Sequence, residues 1–293
     1  MTLVVQILLA VLLVYFVIIW GHDLVVNRHK LNDGNPVVSG VIGFITNFMD
    51  ALGIGSYAPT TMLLKLTKYL KSDKLLPGTL TIACSIPVLT EAFLFIKSVD
   101  IGGGTLLSLI LASVVGSFIG SKFISRFDEK KIQVIMGFAL IITAVLMVLS
   151  NMGYLAALSN GNKATYLTGG KLIIGIVGNF ILGALMVAGI GLYAPCMAMV
   201  YLLGLTPIAA FPIMMASCAA LMPVASREFI RKGDYNRNAS IGITIGGILG
   251  VIVAVKLVKS LDMHVLTWLV IIVVTYTAIT MLVSGFKHAK SAD

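Results

Sequence analysis

The 293-residue sequence predicts an all-α integral membrane protein, with one N-terminal transmembrane helix followed by two inverted homologous halves that contain broken, re-entrant helices. Three observations predict it: apolar runs of membrane-spanning length, a Gly-rich motif that occurs twice in matching places, and an uneven distribution of lysine and arginine.

The composition is 58% hydrophobic and 11% charged, and the mean hydropathy is +1.03. A water-facing surface cannot absorb that balance, so much of the chain must face lipid. Apolar segments fall at about 3–20, 36–52, 57–64, 75–96, 104–121, 132–150, 170–188, 193–204, 206–226, 239–255 and 265–285. Crossing about 30 Å of hydrocarbon takes a helix of about 20 residues. Long runs interrupted by Gly and Pro do not read as the alternating strands of an outer-membrane barrel. The first run lacks a basic start and a small-residue cleavage site, which reads as a retained helix rather than a signal peptide.

The net charge of +9 does not indicate nucleic acid, because the cations sit in short loops between apolar runs, where they orient a chain in a bilayer. The three cysteines, Cys84, Cys196 and Cys218, are odd in number and lie in apolar stretches, so a secreted disulfide framework does not fit. No phosphate-cradling Gly-Lys-Ser/Thr loop occurs, so an enzyme of nucleotide hydrolysis is not expected, and neither is a cofactor or a metal.

Gly53-Ile54-Gly55-Ser56-Tyr57-Ala58-Pro59 recurs 136 positions later as Gly189-Ile190-Gly191-Leu192-Tyr193-Ala194-Pro195. The match continues at a spacing of 134, pairing Cys84 with Cys218, Phe95 with Phe229, Asp100 with Asp234, Gly116 with Gly250 and Asp128 with Asp262. An order kept over so long a stretch predicts repeats. The chain divides into a helix and cytoplasmic loop at 1–35, a first repeat at 36–150, a linker at 151–169, a second repeat at 170–285 and a cytoplasmic tail at 286–293.

Two glycines two apart, followed by Ala-Pro, interrupt one helix and begin another. Segments 36–64 and 170–204 are therefore read as broken helices, with unwound middles that must be buried or line a cavity. Single crossings would divide Lys and Arg almost evenly between the two sides. Re-entrant hairpins put 16 of the 21 on one side, Arg28, Lys65, Lys68, Arg227 and Arg231 among them. The positive-inside rule favours the hairpins, giving seven crossings and two hairpins, with the N-terminus outside and the C-terminus inside.

With Gly53 to Pro59, its copy from Gly189 to Pro195, and the small polar stretches Ala83-Cys84-Ser85 and Ala216-Ser217-Cys218, the chain resembles the sulfite exporter TauE/SafE family of permeases. The resemblance covers nearly everything after the first helix. It implies a permease of the bacterial cytoplasmic membrane whose solute is sulfite, a sulfonate or a related organosulfur anion.

The residues themselves point to an anion site at the breaks. Helices starting at Pro59 and Pro195 would present first-turn amides at Thr60, Thr61 and Met62, and at Cys196, Met197 and Ala198, to a bound oxyanion. The candidate binding set is Gly53, Gly55, Ser56, Tyr57, Pro59, Thr60, Thr61, Cys84, Ser85, Gly189, Gly191, Tyr193, Pro195, Cys196, Ser217 and Cys218. Each has a plainer reading: a kink that relieves packing, a Tyr in a core, or small residues at helix contacts.

Asp50 and Glu91 are ionisable groups in apolar segments and are candidates for proton coupling, although the matching positions in the second half are Met186 and Ala225. Pairing of Glu91 with Arg227 is the structural alternative. Asn47 and Asn179 are expected to cap backbone exposed at the breaks. The spacings Gly116 to Gly120 and Gly246 to Gly250 allow close helix packing, either between the halves or in a homodimer. The other functions left open are a thiol-redox protein using Cys84 and Cys218, a transporter of another small organic anion, and a seven-helix receptor.

Overall fold

A computed structural model describes residues 2–31, 34–53, 55–72, 75–95, 101–123, scattered positions from 134 to 152, and residues 164–186, 191–206, 209–259 and 263–287. Ten α-helices are placed: α1 (Thr2–Val26), α2 (Pro36–Ala51), α3 (Tyr57–Leu66), α4 (Leu76–Phe95), α5 (Gly103–Phe123), α6 (Gly169–Met186), α7 (Tyr193–Leu202), α8 (Ala210–Lys232), α9 (Arg237–Lys259) and α10 (Met263–Lys287). The only β-pairing among the described residues is one isolated bridge, Ala164 to Leu205. Segment 132–150, the linker and the tail lie largely outside the described residues, as does Gly189.

Among the described residues, six helices are long and apolar enough to cross a bilayer: α1, α4, α5, α6, α8 and α9. Their outward positions carry Val11, Ile18, Ile173, Ile245 and Leu249, all at least half exposed, while Asn47, Ser113, Asn179, Ser217, Ser226 and Ser240 are fully buried. Polar groups inside and branched aliphatics outside is the reverse of a water-soluble fold, and it fits an integral membrane protein.

Local chemistry sets the helix ends. Asn35 accepts from the Val37 amide ahead of Pro36, the residue that opens α2. Gly233, with φ +73°, ends α8, and the Asn236 side chain three residues on accepts from the Ala239 amide to start α9.

Helix pairing follows one rule. α2 packs along α9 and α5 along α6, in both cases the first helix of one sequence repeat against the fourth described helix of the other. The contacts match residue for residue. A Cβ added at Gly250 would meet the Phe44 carbonyl oxygen at 2.2 Å, and one added at Gly116 would meet the Phe180 carbonyl oxygen at 1.9 Å. Gly116 and Gly250 are matched at the 134-residue spacing of the sequence, and Phe44 and Phe180 at the 136-residue spacing. Gly120 lies against Ala184 and Gly246 against Gly40. These closely spaced glycines are therefore used between the halves.

Direction can be read from the same contacts. Gly40 to Gly246 and Phe44 to Gly250 run in step, so α2 and α9 are parallel; Gly116 to Phe180 and Gly120 to Ala184 make α5 and α6 parallel. The equivalent helices α4 and α8 run antiparallel: Gly78 lies against Phe229, Ser85 bonds Ser226 at 3.3 Å, and Phe95 stacks on Phe211 at 5.7 Å.

The residues that flank each interrupted segment meet. The Tyr69 hydroxyl, just past α3, donates to the carbonyl of Asn35, just before α2, at 3.0 Å. The Thr206 amide, past α7, donates to the carbonyl of Ala164, before α6, at 3.1 Å. α1 is tied to the same end as Asn35 by Asp23, which accepts from Arg237 at 2.8 Å and from the Tyr235 hydroxyl. Burial and that carboxylate hold the Tyr235 phenol above its ordinary range, so it remains a donor.

Candidate functional site

The first break spans Leu52 to Ser56. Gly53 and Gly55 have φ of +92° and +85°, a region that costs a residue with a Cβ, and the Gly53 amide closes the turn on the Asp50 carbonyl at 2.7 Å. Ser56 and Leu192 stand at the caps of the returning helices α3 and α7.

This corrects the expected helix starts. α3 and α7 begin at Tyr57 and Tyr193, which places Pro59 and Pro195 third in their helices. The Thr60 amide is taken by the Ser56 carbonyl and the Cys196 amide by the Leu192 carbonyl, each at 2.9 Å. Thr60, Thr61, Met62, Cys196, Met197 and Ala198 thus have no amides to offer a ligand. Proline supplies no N–H, so the backbone donors left free by the helix sit one turn earlier, around Ser56, Tyr57 and Ala58.

The two breaks meet. A cavity of about 20 Å³, room for one water, is lined by Asp50, Gly55, Ser56, Tyr57 and Val88 on one side and by Met186, Gly191, Leu192, Tyr193 and Met222 on the other. Six of the sequence candidates therefore line one cavity: Gly55, Ser56, Tyr57, Gly191, Tyr193 and Asp50. Met186, the repeat equivalent of Asp50, faces the same space.

The polar groups around it are deeply buried. The Tyr193 hydroxyl donates to Glu91 Oε2 at 2.9 Å, joining the second hairpin to α4. Ser56 and Tyr193 line the cavity together with Asp50. Asp50 Oδ2 and Glu91 Oε1 make no hydrogen bond. Tyr57 instead donates to Thr81 at 3.2 Å, so the two equivalent tyrosines have different roles. Glu91 is 0% exposed and pairs with Tyr193 in place of Arg227, whose side chain is exposed.

No family model, curated protein or solved structure matches this chain.

The other candidates sit apart from the cavity wall. Ser217 accepts from Asn179 at 2.9 Å and lends its carbonyl to Ser113, in the seam of α5, α6 and α8. Ser85 bonds the Thr81 carbonyl at 2.6 Å and Ser226. The Cys218 thiol points to the Met186 thioether at 3.5 Å, and Cys84 faces Ser56 and Asn47; all three cysteines are free and buried. Gly53 packs against Met197, and Pro59 and Pro195 are buried in their helices.

Asn179 and Asn47 do not cap the breaks. Asn179 donates to the Leu109 carbonyl at 2.7 Å, and Asn47 donates to the Gly43 carbonyl at 2.9 Å while lying against Gly247. Each stiffens an interhelical seam.

Sequence reasoning missed Thr81, Val88 and Met222. One legible signal was the Pro87 and Pro223 pair, 136 apart inside α4 and α8. Pro87 lacks an amide, so the Ala83 carbonyl loses its helical donor and accepts the Thr244 hydroxyl at 2.8 Å instead.

Proposed function

We propose that this chain is a secondary transporter that binds a small anion where its two helix breaks meet. The observation that carries this reading is the cavity shared by Gly55, Ser56 and Tyr57 from one break and Gly191, Leu192 and Tyr193 from the other. The positive ends of α3 and α7, two helices of ten residues, lie at that cavity, which is where a helix favours negative charge.

The arrangement of the halves supports alternating access. Equivalent helices α4 and α8 run in opposite directions, and equivalent seams use equivalent residues, as expected of inverted repeats. α3 and α7 reach only about 15 Å at 1.5 Å per residue, half the hydrocarbon thickness, and each returns to the end where its hairpin began. We therefore read 36–66 and 169–202 as re-entrant hairpins. The chain end holding Asn35, Tyr69 and Arg237 also gathers Lys65, Lys68, Arg231 and Lys232, so the positive-inside rule assigns it to the cytoplasm and the N-terminus to the outside.

The solute class comes from the resemblance to the TauE/SafE permeases: sulfite, thiosulfate or a small sulfonate. The cavity has room for about one water, so an oxyanion fits only when the hairpins part. The test is flux of radiolabelled sulfite, thiosulfate and a two-carbon sulfonate in proteoliposomes. Saturable uptake of at least one, with competition by the others, is expected; no flux of any above empty vesicles sinks the reading. Single cysteines at Lys68 and Lys171, labelled by an impermeant reagent in intact cells, check the topology, with labelling expected at position 171 alone.

A further inference from the structure

The donors that would hold an anion stand against the protein's own carboxyls. Ser56 and Asp50 line the cavity together at the positive end of α3, and Tyr193, on the same cavity, gives its hydroxyl to Glu91 at 2.9 Å. Asp50 and Glu91 are 2% and 0% exposed, and each keeps one oxygen without a hydrogen bond.

The groups that face this pair come from every surrounding element: Tyr193 from α7, Cys84 from α4 and Ser56 from the first break, with Tyr57 on α3 and Cys218 on α8 beside them. Among the described residues none of these is a lysine or arginine. An ionised carboxyl here has no cation to offset its desolvation. The one Tyr193 proton cannot serve both carboxyls.

We propose that Asp50 and Glu91 are built-in competitors for the anion site, and that a proton taken up by this pair releases Ser56 and Tyr193 to bind the solute, so that proton and anion travel together. The inference rests on the transport reading and assigns its coupling.

The balance is simple. A proton from the aqueous phase adds to a carboxylate oxygen, and no covalent bond other than the O–H forms. The carboxylate stops drawing on Tyr193 or on Ser56, and the freed O–H and N–H donors turn to the incoming anion. The opposite order on the far side returns the proton to water as the anion leaves. Linkage requires the converse, that the anion tightens proton binding by the same factor. Asp50 and Glu91 occur only in the first half, where Met186 and Ala225 are their equivalents, so one pair serves both faces.

The test measures the apparent KM for thiosulfate, sulfite and a two-carbon sulfonate in proteoliposomes between pH 5.5 and 8.5 (roughly one unit either side of neutrality and a little beyond), for wild type, Glu91→Gln, Asp50→Asn and Tyr193→Phe. Where the pair is ionised, wild-type KM is expected to rise about tenfold per pH unit for one coupled proton. The neutral amides of Glu91→Gln and Asp50→Asn should flatten that slope and abolish accumulation driven by an inward proton gradient. Tyr193→Phe should raise KM at every pH. A wild-type KM that does not respond to pH, or a full slope retained in both amide variants, overturns the inference while leaving transport standing. No wild-type flux at all overturns the transport reading itself. If one amide variant does not fold, as judged by monodisperse elution, the other decides.

Discussion

Tyr193, at the start of α7, donates to Glu91, near the end of α4, so α7 is fastened to α4. The equivalent tyrosine makes no such link; Tyr57 bonds Thr81 on the same helix. One sequence motif, used twice, thus lands in two chemical environments, and the acids that make the difference occur once.

Removing the Tyr193 hydroxyl leaves Glu91 buried with no hydrogen-bond partner of its own. Tyr193→Phe should destabilise the folded protein by about 1–3 kcal/mol, the cost of orphaning a buried polar group. Tyr57→Phe should cost less, because Thr81 also donates to the Pro77 carbonyl at 2.7 Å. Thermal unfolding in detergent ranks the two, and an equal loss would show that Glu91 has another partner.

The two glycine seams should respond alike. An added Cβ at Gly116 or Gly250 falls 1.9 or 2.2 Å from a carbonyl oxygen of the facing helix, which must then move away. Gly116→Ala and Gly250→Ala are each expected to cost about 1–3 kcal/mol through overpacking. Gly104→Ala, with nothing within 4 Å, is the control and should be near neutral. Unfolding midpoints check this, and a clear disparity between the two seam variants would count against their equivalence.

The break glycines should not respond alike. Gly55 holds φ +85°, so Gly55→Ala strains the turn by about 1–2 kcal/mol. Gly191 has open space where a Cβ would stand, and it lines the cavity. Gly191→Val should therefore fold and insert normally while its methyl groups obstruct the site, lowering thiosulfate flux at least tenfold. A Gly191→Val protein with wild-type flux would move the site elsewhere.

At the opposite end from Gly102 and Leu167, Asp23 and Arg237 form a part-buried pair at 2.8 Å, with Arg237 also 4.9 Å over the Tyr235 ring. Removing one partner leaves the other charge largely shielded from water and unpaired. Asp23→Asn is expected to destabilise by about 1–3 kcal/mol, and Asp23→Asn with Arg237→Met to recover part of it. Proteolysis near residue 30, read by mass spectrometry, reports whether α1 has come loose.

The sequence alone determined the class of fold, because hydropathy and charge act through local composition: an apolar run of twenty residues has to avoid water wherever it packs. It also placed both breaks, since Gly53, Gly55 and Pro59 constrain their own backbone. It misplaced the helix starts by two residues, because a Pro fits equally at the first or third position of a helix, and the choice between them falls to the surrounding chain. Only the tertiary structure decided which candidates meet. Ser56, Tyr193, Asp50 and Glu91 come from three helices and a turn, separated by up to 143 positions. Their contact depends on the antiparallel crossing of α4 and α8 and on glycine seams that bring the hairpins inward. A hydrogen bond such as Tyr193 to Glu91 depends on atoms a few ångströms apart, and that distance is set by packing between helices, which no local pattern encodes.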